Sequence, residues 1–211
     1  MKGLTYIELL LVLGIFSFVM GIIGGIYKVQ DYFKTTRDLQ RLKDLSLINS
    51  ALNFYFQNAN FVDPDGPYLE NRGIDESLPT IFVSVPEEKE KFFETCYYYQ
   101  NNKIYYIYQT NKNDYQKING YGWIPINFLT INYPSLTYLP VDPVNDLKSG
   151  LYYLYAFKRN PLKYEIAAFF ESKEFQKNGI KDIVSKDGGD DDLRLELGTD
   201  LNIIPPFIPN F

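Results

Sequence analysis

Histidine is absent from the 211 residues and cysteine occurs once, at Cys96. The first absence removes histidine-based triads, histidine zinc sites and the usual general base. The second removes any intrachain disulfide and any thiolate cluster for zinc or iron. A lone thiol with no imidazole to activate it is expected to be a buried, inert side chain. Excess positive charge is missing as well: the net charge is −5, which gives no electrostatic footprint for general nucleic-acid binding. No GxxxxGK phosphate loop, GxSxG elbow or zinc ligand set occurs, so the residues offer no enzyme chemistry. Proline and glycine are modest, at 12 and 14, which argues against long disordered stretches.

What is present begins with MKGLTYIELLLVLGIFSFVMGIIGG. Leu9 to Ile26 carries no charge and a single hydroxyl, Ser17. With Leu4 to Ile7 ahead of it, the run has the length of a bilayer span, which takes about 20 apolar residues. No small-x-small cleavage site follows, so it does not read as a secretory signal peptide. Glu8 stands near its front, where a carboxylate in hydrocarbon requires a partner or a purpose. Lys2 precedes the run, whereas Lys28, Lys34, Arg37, Arg41 and Lys43 follow it among Asp31, Asp38 and Asp44. Counting lysine and arginine alone would keep the remainder of the chain in the cytoplasm.

Beyond the run, Val29, Phe33, Leu39, Leu42, Leu45, Ile48, Leu52 and Tyr55 or Phe56 recur at three- and four-residue steps, with no proline before Pro64. Residues 4–57 are therefore expected to form one helix, roughly 80 Å long at 1.5 Å per residue. Its first half is apolar all round, and its second half is amphipathic and needs a domain to pack on.

Lys2-Gly3 followed by Leu4-Thr5-Tyr6-Ile7-Glu8-Leu9-Leu10 resembles the start of a type IV prepilin: a short basic leader ending in Gly, a hydrophobic residue, and Glu four positions later. The resemblance covers residues 1 to about 57. It implies that a prepilin peptidase cuts between Gly3 and Leu4 on the cytoplasmic side and methylates the new Leu4 amine. It also implies a single-pass precursor in the cytoplasmic membrane with its domain outside, against the charge count. Inner-membrane assembly machinery would then draw the subunit into an extracellular homopolymeric filament. Cleavage would place a positive amine one helical turn before Glu8, and in low dielectric Glu8 of one subunit would attract the amine of its neighbour. Only one axial stagger satisfies both charges, so Glu8 is expected to set register. Gly21 and Gly25 form a GxxxG spacing that allows close helix packing in lipid.

This divides the chain into a leader (1–3), an assembly helix (4–27), an amphipathic half (28–57) and a globular domain (58–211). Asp63-Pro-Asp-Gly-Pro67 supplies turn chemistry after the helix. An extended stretch is expected at Ile81–Val85 and a charged, helical run from Glu87 to Glu94. Tyr97–Gln100 and Ile104–Thr110 about Asn101-Asn102-Lys103 suggest one hairpin. Leu151–Phe157 and Lys163–Phe170 about Arg159-Asn160-Pro161 suggest another, with a last strand at Leu193–Leu197. The class is α+β, a long helix on a small antiparallel sheet, which is the pilin architecture. With 19 Tyr and 16 Phe, the tyrosines are expected at half-buried sheet positions rather than on a stacking platform.

Asp187, Asp190, Asp191 and Asp192, around Gly188-Gly189, are the candidate oxygen ligands for a calcium ion, although their spacing is not that of an EF-hand. Otherwise no cofactor is expected. The reading is a structural filament subunit. The alternatives are a pseudopilin of a type II secretion or DNA-uptake system and a non-polymerising single-span receptor or adhesin. A bound calcium would favour the pseudopilin.

Overall fold

The computed structural model describes residues 5–66, 80–88, 91–96, 104–131 and 135–206, with backbone only for 23–28, 91–96, 104 and 106. A single helix, α1, runs over Tyr6–Asn58 for 53 residues, close to the 4–57 expected. It starts where Thr5 adopts extended backbone and caps it, and it ends at Ala59, whose N–H still reaches the Tyr55 carbonyl at 2.9 Å. From Asp38 onward one stripe of α1 turns inward: Asp38, Arg41, Leu45, Ile48, Ala51 and Leu52 are wholly buried and Tyr55 nearly so. These positions recur at the three- and four-residue steps that place side chains on one helical face.

That stripe lies on a six-stranded sheet of order β2-β3-β1-β4-β5-β6. The strands are β1 (Thr80–Glu87), β2 (Lys91–Cys96), β3 (Ile104–Asn111), β4 (Tyr153–Arg159), β5 (Leu162–Phe169) and β6 (Arg194–Gly198). The β4–β5 hairpin runs in continuous antiparallel register from Tyr153↔Ala168 to Arg159↔Leu162, as its alternation and Asn160-Pro161 turn led one to expect. β6 adds antiparallel to β5.

Two expectations are corrected. The sheet is mixed, not antiparallel, because β1 pairs parallel with β3 from Thr80↔Tyr106 to Val83↔Gln109. The chain turns back after β1 to lay down the edge strand β2, and β3 then returns between them, aligned with β1. The expected helical run Glu87–Glu94 is instead the end of β1 and the start of β2. β2, ending at Cys96, is also the antiparallel partner of β3. Tyr97–Gln100, expected to fill that role, lie outside the described residues.

Residues alternate between the two sheet faces, as strand geometry requires. Phe82, Tyr108, Tyr153, Tyr155, Phe157, Tyr164, Ile166 and Ala168 join the core against α1. Ile81, Val83, Tyr105, Ile107, Leu154, Ala156 and Ala167 form a second core on the opposite face, closed by Ile203 and Ile204. Between β3 and β4 a long connection wraps the end of α1. Its Trp123 is fully buried, donates from Nε1 to the Pro140 carbonyl at 2.9 Å and lies beside Tyr153. Gly66 anchors the turn after α1: its φ is +61°, and a Cβ there would stand 2.1 Å from the Pro125 carbonyl oxygen.

Candidate assembly helix and its anchorage

At the front of α1, the Thr5 hydroxyl accepts the Glu8 amide at 3.3 Å, while Glu8 Oε2 accepts the Thr5 amide at 2.8 Å and the Thr5 hydroxyl at 3.0 Å. This is a reciprocal capping box that satisfies helix-terminal donors. Glu8 therefore has a local partner the sequence reading overlooked, although Thr-x-x-Glu is itself the signal. The carboxylate is held at the helix start, against Thr5. Gly3 and Leu4 lie outside the described residues.

Behind Glu8, side chains that water disfavours stand in the open. Tyr6 and Ile7 are 75% exposed, and Leu9, Leu10, Leu11, Val12, Leu13, Ile15, Phe16, Phe18, Val19, Met20 and Ile22 are exposed too. A contiguous exposed apolar surface of this extent is uncommon on a soluble monomer. A Cβ added at Gly14 or Gly21 would meet nothing within 4 Å. The side-chain surroundings of Gly25 lie outside the described residues. Among the described residues, no helix is long and apolar enough to cross a membrane. The side chains described there end at Ile22 and resume at Val29, whereas the uncharged sequence continues to Tyr27.

The exposed and packed parts of α1 meet at a buried ionic cluster. Arg41 is completely enclosed, with Nε and Nη2 on the two oxygens of Asp142 at 2.6 and 2.9 Å. Its Nη1 reaches Asp38 and Glu171, each at 2.7 Å. Arg37 grips Glu171 with two further bonds of 2.7 Å. Asp38 in turn accepts the backbone amides of Glu171 at 2.9 Å and Ser172 at 2.7 Å, tying α1 to the chain just after β5. Burial works against the charge on Arg41, but Asp142, Glu171 and Asp38 together hold its pKa above the ordinary value. Burial likewise opposes ionisation of Glu171, yet Arg37 and Arg41 hold its carboxyl below the usual range. Arg37 and Arg41, counted from sequence as a positive flank of the span, are thus committed to this junction.

Farther along, tyrosine hydroxyls fasten α1 to the sheet. Tyr153 donates to Asp44 at 3.0 Å and Tyr164 to the Asn49 side chain at 2.6 Å. Tyr105, Tyr108, Tyr153, Tyr155 and Tyr164 are all buried, so they offer no stacking platform. They are deeper than the half-buried positions expected.

The four aspartates of the acidic loop do not converge. Asp191 binds Arg194 Nε at 2.6 Å, and Asp192 pairs with Lys177. Asp187 accepts the amides of Gly189 and Glu196 at 2.9 and 2.7 Å. Burial raises the Asp190 pKa, and nearby Arg194 opposes that rise. Among the described residues, no group of three or more acidic or thiol side chains is arranged to hold a metal ion. In this loop Asp187 is engaged by backbone amides, and Asp191 and Asp192 by cations.

Comparison with protein-family models, with curated proteins and with solved structures returns no match.

Proposed function

We propose that this chain is the structural subunit of a type IV pilus-like filament, inserted as a prepilin, cleaved after Gly3, methylated at Leu4 and polymerised through α1. The observation that carries this reading is the division of one 53-residue helix at its ionic junction. Ahead of Arg37 the apolar side chains from Tyr6 to Ile22 stand exposed among the described residues; from Asp38 onward one stripe of α1 belongs to the domain core. Lipid receives the exposed part before assembly, and neighbouring helices receive it afterwards. The domain then stands outward on a helix that cannot swivel freely, because Arg41 and Asp38 lock it to the chain after β5.

Glu8 has its role at the front of this helix. Thr5 keeps the carboxylate at the first turn of α1. In a bundle, a neighbour's amine at the same depth would complete its solvation, and a misplaced stagger would leave both charges unpaired at high cost. Filament formation thereby selects one register.

The test is the intact mass of the full chain after co-expression with an active prepilin peptidase. Loss of Met1–Gly3 with gain of one methyl group is expected. An uncut chain, alongside a control substrate that is cut, would overturn the reading.

A further inference from the structure

The sheet face away from α1 holds two carboxyl groups that no assembly role uses. Glu165 on β5 and Glu196 on β6 are both wholly buried. Cross-strand register pairs Glu165 with Gly198 and Ala167 with Glu196, so the two glutamates stand diagonally on one face. Each carboxyl group perturbs the other's titration across that diagonal. A hydrogen bond between them requires that one carry a proton, because two ionised carboxylates have no donor. Glu165 Oε2 accepts the amides of Ile203 and Ile204, both at 2.8 Å, and Glu196 Oε2 accepts the Asp191 amide at 3.0 Å. Their Oε1 atoms are buried with no hydrogen-bond partner among the described residues.

The charges around the pair do not balance two ionised glutamates. From β6 the buried cation is Arg194, whose Nε binds Asp191 and whose Nη2 binds the Pro205 carbonyl, while its Nη1 has no hydrogen-bond partner among the described residues; its one positive charge favours ionisation of both glutamates but cannot balance two. From the acidic loop come Asp187, Asp190 and Asp191, all negative when ionised. From β3 comes Tyr105 and, just ahead of β4, Tyr152, whose pKa values burial raises above the ordinary tyrosine range.

We propose that Glu165 and Glu196 share a proton, and that this proton latches the 203–205 segment over the second sheet face. While it is held, Ile203 and Ile204 cover Ile81, Val83, Leu154 and Ala167. When it leaves, two facing carboxylates repel in a dry site, the segment lifts and an apolar sheet face opens. The sign follows from burial: both carboxyl pKa values are raised, so the latch is closed at low pH and loosens as pH rises through the folded-state values.

Hydrogen exchange on the full chain in detergent micelles tests this, with protection corrected for the intrinsic pH dependence of exchange. Protection at the Ile203 and Ile204 amides should fall about tenfold per pH unit as pH rises toward about 9, the value to which burial pushes Glu196, and level off above it. Ile166 and Ala168 in β5 should keep theirs. Glu196→Gln, which retains a neutral donor toward Glu165, should abolish the fall. Should that variant misfold, carbon-13 labelling of glutamate in the wild-type chain must show a carboxyl still titrating above neutral pH. Unchanged protection, a fall shared by the β5 amides, a fall retained in Glu196→Gln, or no carboxyl titrating above neutral pH would each overturn the latch. So would restoration of alkaline protection by added calcium, which would make the pair a cation site.

Discussion

Arg41 has no access to water, and three carboxylates converge on its guanidinium. A planar fork with several donors suits this task, and an ammonium does not. Removing it leaves Asp38 and Asp142 buried without their cation, a type of change that costs roughly 3–5 kcal/mol. Arg41→Met is therefore expected to lower unfolding free energy by about that amount, followed by the near-ultraviolet signal of Trp123 during urea unfolding in micelles. Arg41→Lys keeps a charge but forfeits the two-pronged bond to Asp142, and should fall between wild type and Arg41→Met. At Glu8 the expected effect lies elsewhere. The carboxylate is exposed within the subunit, so Glu8→Gln should leave the unfolding of the domain unchanged. If the filament reading holds, the same change should abolish ordered polymer seen by electron microscopy. Normal filaments from Glu8→Gln would end the register role.

At the scale of elements, α1 carries a conflict that assembly would resolve. Gly14 and Gly21 lie in a helix where a methyl group would fit without contact, and each weakens it by about 1 kcal/mol relative to alanine. Among the described residues nothing packs against these glycines to compensate for that loss, and close helix packing in the proposed filament would do so. Gly21→Ala is expected to raise the helicity of the subunit in micelles by circular dichroism and to reduce filament yield. Equal or greater yield would assign the glycines no packing role. The elements were legible to different degrees, for physical reasons. α1 showed itself through an uninterrupted periodicity and a proline-free stretch. β4 and β5 showed themselves because their pairing is local and alternation marks both faces. β2 was hidden: Glu87 to Glu94 is dense in charge, and at a sheet edge such residues are tolerated beside water. The parallel β1–β3 pairing was hidden because it depends on where an intervening strand is laid, which no local pattern encodes.

At the scale of the whole molecule, the described residues show an exposed apolar helical segment running into a domain through the Arg41 ionic cluster and the packed stripe beyond it, and the sequence disclosed the two ends better than the join. Gly3, Leu4 and Glu8 are neighbours in the chain, so their motif can be read directly. Asp142 and Glu171 stand 101 and 130 positions from Arg41, and only the fold brings them together. The junction should give the molecule a definite acid sensitivity. Glu171 is held below its ordinary pKa by Arg37 and Arg41 against the opposing effect of burial. A depressed carboxyl pKa contributes stability above the unfolded value, and that contribution is lost as pH falls through the folded value. Asp65 runs the other way: burial and the neighbouring Asp63 carboxyl push it up to about 6 despite Arg159, so its contribution is greatest in acid and declines as pH rises through that value. The two can be separated because they sit on different contacts. Glu171→Gln should already melt lower than wild type at neutral pH, since Arg37 and Arg41 lose an ionised partner. Its melting temperature should then decline less steeply than wild type on acidification below about pH 4, where an ordinary glutamate begins to protonate. Parallel acid limbs in the two proteins would mean that the junction does not govern how the domain holds its helix.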